Sequence, residues 1–323
     1  GWSHRQSVPA AAIGGRFAAS GQSAKVTNMN GTPISLLENL RAVFYAPFYL
    51  AFARDYFRAE GAEVSMQESF DPTDTLPRLL SGEIDVCWGG PLRVIRAYDR
   101  NPDVGLVCFG EVVGRDPFFL VGRSPGTLKN LPDRTMNVVS EVPTPWICLQ
   151  QDLRDGGIDP AALDVQQGPG MAENRDALGA GSLDVFQSFQ PYAEQALNAG
   201  GHLIYAAASR GPTAYTCFYA LKSTVERRRD DFAAMVRALR RAVSDAYDLP
   251  AEQTAATLQR LFPDFSVELL AAAVTRYQAL GLWNRTGVLP ETGFERLRQS
   301  MLGAGFEKTG AVFETAVDNS LAD

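Results

Sequence analysis

The sequence predicts an α/β protein built as two similar lobes, followed by a helical C-terminal region. Three observations carry that expectation. Short apolar runs alternate with helical patterns from Ile34 to Tyr219, which implies βαβ units and mostly parallel sheets. One stretch of the first half, Leu80-Ser81-Gly82-Glu83-Ile84-Asp85-Val86, aligns with Gly179-Ala180-Gly181-Ser182-Leu183-Asp184-Val185 of the second. In both, a helix stops at glycine, the chain turns through a polar residue into apolar-Asp-Val, and a proline follows (Pro91 or Pro191). Beyond Leu221 the pattern becomes continuous helix. At 323 residues the chain also exceeds the roughly 250–300 that one core fills, so about two domains are expected.

The elements follow in order. Ile34–Leu37 reads as a first strand. It leads through Arg41-Ala42-Val43-Phe44-Tyr45 into an amphipathic helix, with Pro47 in the first turn and Gly61 as a left-handed stop. Tyr45, Phe48, Tyr49, Phe52 and Tyr56 share one face of that helix, and Arg54 and Arg58 lie away from it. Strands are expected at 63–67, 84–88 and 104–109, with helices at 75–80 and 92–98 between them. The second half repeats the scheme. Strands fall at 118–121, 135–139, 163–166, 183–186, 202–205 and 215–219, and helices at 146–155, 172–178 and 192–198. Helices at 231–247, 252–261, 267–280 and 292–302 complete the chain, separated near Pro250, Pro263 and Pro290.

Composition narrows the function classes. A hydrophobic share of 46% with 21% charged residues is an ordinary globular profile. The net charge of −7 leaves no electrostatic footprint for nucleic acid. The basic run Arg227-Arg228-Arg229 is followed by Asp230-Asp231 and reads as a solvated helix start. No uncharged apolar stretch reaches the ~20 residues a membrane helix needs. The four cysteines, Cys87, Cys108, Cys148 and Cys217, are isolated and match no metal or redox spacing; buried free thiols are expected, and a disulfide stays open until distances are known. With only His4 and His202 there is little basis for a histidine metal site, and no metal or cofactor is expected. Residues 1–31, rich in Gly, Ala, Ser and Gln, read as a tag, a signal-peptide remnant or a disordered leader.

Several ordered pieces carry a family likeness. They are Ala46-Pro47-Phe48-Tyr49-Leu50-Ala51, Tyr56-Phe57-Arg58-Ala59-Glu60-Gly61, the two glycine-stop units, Leu128-Lys129-Asn130-Leu131-Pro132-Asp133 and the closing Val317-Asp318-Asn319-Ser320-Leu321-Ala322. Across 34–323 the chain resembles the periplasmic solute-binding proteins of ABC transporters, in particular the NMT1/THI5-like group of sulfonate, nitrate and thiamine-precursor binders. The resemblance implies a type II periplasmic-binding-protein fold with a ligand cleft between lobes. It places crossings near 116–119 and 216–221, making residues 32–116 plus 220–323 lobe one and 117–219 lobe two, with the C-terminal helices packed on lobe one. It further implies a small-molecule ligand, an ABC-transporter permease as partner, a periplasmic or membrane-anchored extracytoplasmic location and a monomer.

The site can be read without the family, because open α/β sheets bind ligands beyond the carboxyl ends of their strands. That rule selects Asn39, Arg41, Phe44 and Tyr45, then Trp88, Gly89 and Gly90, then Gly110 and Glu111. From the second lobe it selects Ser140, Thr144 and Trp146, then Gln187, Ser188, Gln190 and Tyr192, then Thr213 and Tyr215. Aromatics mixed with neutral hydrogen-bonding groups suit a flat or partly apolar solute, possessing an aromatic, heterocyclic, carboxylate or sulfonate character. Arg41 is the candidate for gripping an acid group and Trp88 for stacking; a surface arginine and a core tryptophan explain them as well. Gly89-Gly90 admits a close backbone approach or a plain turn.

A second reading is an enzyme on the same fold. Pyrimidine-precursor synthases and a sulfinate-cleaving enzyme resemble this family too. The synthases carry a cysteine-dense motif, whereas these cysteines are scattered. The sulfinate type would place a cysteine in the loop before the first helix, where this chain has Phe44-Tyr45-Ala46-Pro47. Both departures favour a non-catalytic binding protein.

Overall fold

The structure is a computed structural model that describes residues 32–68, 74–305 and 311–322. The expected leader, residues 1–31, lies outside the described residues. The first sheet collects β1 (Ile34–Glu38), β2 (Val64–Glu68), β3 (Val86–Gly89) and β4 (Leu106–Val113). Between them run α1 (Ala46–Ala53), α2 (Tyr56–Ala59), α3 (Thr75–Leu80) and α4 (Leu92–Arg100). The second sheet is built from β5 (Phe119–Gly122), β6 (Thr135–Asn137), β7 (Asp164–Gln166), β8 (Val185–Ser188) and β9 (His202–Ala206). Its helices are α5 (Thr144–Asp155), α6 (Met171–Ala180) and α7 (Tyr192–Asn198). The chain then returns through β10 (Thr216–Leu221) to α8 (Lys222–Arg227), α9 (Arg229–Asp248), α10 (Ala251–Gln259), α11 (Val267–Ala279), α12 (Glu291–Gly303) and α13 (Phe313–Ala316).

The two sheets have the same plan. Their strand orders are β2-β1-β3-β10-β4 and β7-β6-β8-β5-β9. In each, three parallel strands are followed by one antiparallel crossing strand and an edge strand. The repeated glycine unit occupies equivalent places, delivering the chain from α3 into β3 and from α6 into β8. Gly82 and Gly181 hold φ of 76° and 79°, left-handed values that favour a residue without Cβ. The next amide in each case reaches back to a carbonyl in the last helical turn, Glu83 to Arg78 and Ser182 to Ala177, both at 3.1 Å.

Three expectations need correction. The helix expected to run unbroken to Gly61 divides at Asp55, whose φ is 55°. The break turns Tyr56 toward α9, where its hydroxyl donates to Asp245 at 2.5 Å and Arg54 pairs with the same carboxylate at 3.3 Å. The lobe boundary expected at residue 220 falls inside β10, and that strand pairs entirely with β3 and β4. The second crossing therefore precedes Thr216. The C-terminal helices are not confined to lobe one: α9 packs along α1, but α11 meets α7 and α12 meets α5. Arg296 of α12 bridges Asp152 at 2.8 Å and Asp155 at 2.7 Å on α5, and Arg210 joins Asp152 (2.7 Å) to Asp116 (2.9 Å) between the crossings. Among the described residues, no helix is long and apolar enough to cross a membrane.

Candidate ligand-binding cleft

A cleft of about 470 Å³ opens between the strand ends of the two sheets. On the first-lobe side the chain leaves β1 through Asn39 and Leu40 and makes a single 3₁₀ turn at Val43–Tyr45, just ahead of α1. That turn sets Phe44 and Tyr45 against each other edge to face, 4.5 Å between ring centres, with Phe44 facing the cleft. Phe118 and Tyr215, from the two crossings, extend the aromatic wall; each lies near Phe44, at 6.1 and 6.4 Å. The opposite wall is the loop from Ser140 to Thr144, which enters α5. Gly90 marks a close approach of the lobes, since a Cβ there would stand 3.5 Å from the Tyr215 carbonyl and 3.9 Å from the Thr144 hydroxyl.

Seven of the sequence-selected residues meet at this cleft: Asn39, Phe44, Tyr45, Gly90, Ser140, Thr144 and Tyr215. The others lie outside its lining. The Arg41 guanidinium is held by Glu38, at 3.0 Å, and by Glu68. Trp88 is wholly buried and stacks on Phe48 with centres 4.2 Å apart, so it is core. Gly89 is part of β3, where a Cβ would meet the Tyr219 ring at 3.3 Å. Glu111 lies within β4, which continues past Gly110 to Val113 rather than ending before it. There Asn284 donates to its carboxylate at 2.7 Å, and burial pushes its pKa up to about 8. Trp146 is half-buried on α5 and packs against the core of the second sheet. Gln187 is buried behind the Ser140–Thr144 loop, donating to the Pro145 carbonyl at 3.0 Å. Gln190 is buried against Glu194 at 3.1 Å, and Tyr192 packs between Phe189 and Phe265 at 6.1 and 5.5 Å. Gly110, Ser188 and Thr213 also lie outside the lining.

Sequence reasoning missed the face of α4. Arg93, Arg96 and Arg100 are spaced i, i+3, i+7, which puts them on one side of the helix, and all three line the cleft. The other face buries Val94, Ile95 and Tyr98. The amphipathic pattern was there to find, but a charged helix face ordinarily reads as one wetted by bulk water. Arg93 also acts on Tyr45: burial pushes that phenol up to about 12, and the neighbouring guanidinium opposes the shift. Leu40, Leu76, Leu92, Phe118 and Val142 add apolar lining, and Glu141 adds an acidic group at the rim. α5 meets the cleft at Thr144, and Pro145 beside it in the first turn has no N–H to offer. Chemically, this is an aromatic slot with guanidinium groups along one wall.

The sequence pattern described as NMT1/THI5 like matches residues 44–253. The chain belongs to the NMT1/THI5-like family. YtlA of Bacillus subtilis strain 168 is 22% identical over 298 residues, covering 90% of this chain and 89% of YtlA. The 4-amino-5-hydroxymethyl-2-methylpyrimidine phosphate synthase of Aspergillus parasiticus is 34% identical over 74 residues, which are 23% of this chain and 22% of that one. The solved structure of the alkanesulfonate-binding protein SsuA from Xanthomonas axonopodis pv. citri, bound to MOPS, is similar with a TM-score of 0.68 at 14% identity. The match covers 89% of this chain and 98% of SsuA. At that identity the likeness establishes the fold, the two-lobed α/β architecture of periplasmic binding proteins. Within this family architecture the cleft lies between the lobes, as the strand-end rule requires.

Proposed function

We propose that this NMT1/THI5-like protein is a non-catalytic carrier outside the cytoplasm. It captures a small organic solute in the interlobe cleft and hands it to the permease of an ABC transporter. The solute has a flat apolar body and an acid group, carboxylate or sulfonate. The observation that carries this reading is the composition of the cleft. Phe44, Phe118 and Tyr215 supply an apolar wall, and Arg93, Arg96 and Arg100 stand together on the face of α4 that lines it. Guanidinium groups bind carboxylates and sulfonates through paired N–H donors. The binding of an alkanesulfonate by SsuA is compatible with such a solute.

The cysteines weigh against the enzyme reading. All four are free and buried, and burial pushes the Cys87 and Cys148 thiols up to about 12, far from a reactive thiolate at neutral pH. The test is a thermal-shift panel of aromatic carboxylates, sulfonates, pyrimidines and short amides, followed by mass spectrometry of the incubated compounds. One acid should raise Tm and be recovered unchanged; a ligand at 100 times its Kd adds roughly 2.7 kcal/mol. Time-dependent appearance of a product would replace the carrier with an enzyme.

A further inference from the structure

α11 belongs to the C-terminal helical region, yet its end touches both lobes and the link between them. Arg276 grips Glu194 of α7 through two nitrogens, at 2.7 and 2.9 Å. The next residue, Tyr277, is fully buried. Its hydroxyl accepts a hydrogen bond from the backbone N–H of Gln190 at 3.1 Å and donates one to the backbone carbonyl of Pro117 at 3.1 Å. Gln190 lies in the loop between β8 and α7 of the second sheet, and Pro117 lies in the first crossing. Six residues on, the indole N–H of Trp283 donates to the carbonyl of Phe44 at 2.8 Å, so the same end of the helix also holds the first-lobe loop that lines the cleft. The rings of Tyr277 and Trp283 are 6.0 Å apart.

We propose that Tyr277 is an interlobe positioning residue: from α11, which packs on α9, α10 and the Val43–Tyr45 turn of the first lobe, its single hydroxyl holds the facing ends of β5 and β8, at Pro117 and Gln190, of the second. Tyr277 itself is not in the cleft lining. It acts on the site from behind, because Phe44, Phe118 and Phe189 form one cluster (5.4 to 6.1 Å between centres) and each is bonded to Tyr277 or Trp283 or adjoins a residue that is. Phe44 is held by Trp283, Phe118 follows Pro117, and Phe189 precedes Gln190. A hydroxyl on α11 that bonds both strand ends fixes where they stand relative to that helix. A phenyl ring in the same place fills the volume but fixes nothing.

The consequence for ligand capture rests on the carrier reading; the positioning role does not. The experiment therefore uses no ligand. In Tyr277→Phe, amide exchange at Gln190 is expected to rise at least tenfold. Spin labels at Lys129→Cys and Glu226→Cys, exposed sites on the two lobes, should report a broader distance distribution while the Tm moves by only a few degrees. Gln190 exchange and a distance distribution identical to those of the parent protein would overturn the proposal. If Tyr277→Phe does not fold, Trp283→Phe decides through the same labels: a broadened distribution supports coupling through α11, and an unchanged one overturns it. A failed ligand panel leaves this result standing, and the reverse also holds.

Discussion

Asp85 and Asp184 make the same hydrogen bond in two different sheets. Asp85 accepts from the backbone N–H of Ser35 at 2.9 Å, and Asp184 accepts from the backbone N–H of Thr135 at 3.1 Å. Ser35 lies in β1 and Thr135 begins β6, the equivalent strands of the two sheets. The repeated apolar-Asp-Val is thus a strand anchor: the carboxylate just before β3 or β8 fixes the neighbouring parallel strand alongside.

Removing either anchor should therefore destabilise its own sheet. Asp85→Ala and Asp184→Ala are each expected to cost about 1–3 kcal/mol, the penalty for leaving a backbone donor without its acceptor. Asn at either position keeps an acceptor oxygen and should recover part of the loss. Arg123 and the Thr135 amide hold the Asp184 carboxyl below the usual carboxylate range. Its stabilising contribution is thus present above the ordinary aspartate pKa and lost as pH falls through the folded-state value. Urea titrations at pH 7 and pH 3 check both points; an Ala variant as stable as the parent would remove the anchor.

Much of this fold can be read from residue order, and the failures have physical causes. The glycine stops at Gly82 and Gly181 were legible because a left-handed residue after a helix has a narrow chemistry. The break at Asp55 was not, since an aspartate taking a left-handed turn does not disturb an amphipathic pattern on either side. Gly110 read as a strand end, but with φ of 60° it is a bend inside β4, and Glu111 follows it into the interior. Position at a strand end brings Phe44, Tyr45 and Thr144 to the cleft but does not say which side of the sheet Trp88 faces. Arg93, Arg96 and Arg100 escaped because only the approach of the second lobe makes a charged helix face the wall of a cleft.

Glu111 makes stability depend on pH in an unusual direction. Burial raises its pKa from 4.5 to about 8, with Asn284 as its hydrogen-bond partner at 2.7 Å. The folded protein keeps this carboxyl protonated at a pH where the unfolded chain has released the proton. Its contribution to stability is therefore intact below the unfolded-state pKa and declines as pH rises toward 8, by up to about 1.4 kcal/mol per unit. Glu111→Gln cannot ionise, so denaturation midpoints measured from pH 5 to pH 8 should fall less steeply than in the parent. Parallel profiles would mean that Glu111 is ionised in the fold.

Arg41 and Arg96 separate stability from binding. Arg41 is committed to Glu38 and Glu68, and Glu38 is a buried carboxyl whose pKa burial raises. Arg41→Ala should cost about 1–3 kcal/mol by stripping Glu38 of its cation, with affinity for the first panel hit changed by less than twofold. Arg96→Gln should weaken the same compound at least tenfold and shift Tm far less. Calorimetric titration of both variants decides the matter, and a reversal of the two effects would return the acid-binding role to Arg41.

Gly90 tests the geometry of the cleft itself. A Cβ at this position would contact the Tyr215 carbonyl at 3.5 Å and the Thr144 hydroxyl at 3.9 Å, ordinary van der Waals distances. Gly90→Ala should therefore fold with a Tm within a few degrees of the parent. A branched side chain adds atoms beyond the Cβ on the side of Tyr215 and Thr144 and of the cleft that Gly90 lines. Gly90→Val is expected to hold the lobes apart and to lower ligand affinity by tenfold or more, with a smaller effect on the urea midpoint than on binding. Equal affinity in the Ala and Val variants would show that the solute is held away from the Gly90–Thr144 approach, nearer the arginine face of α4.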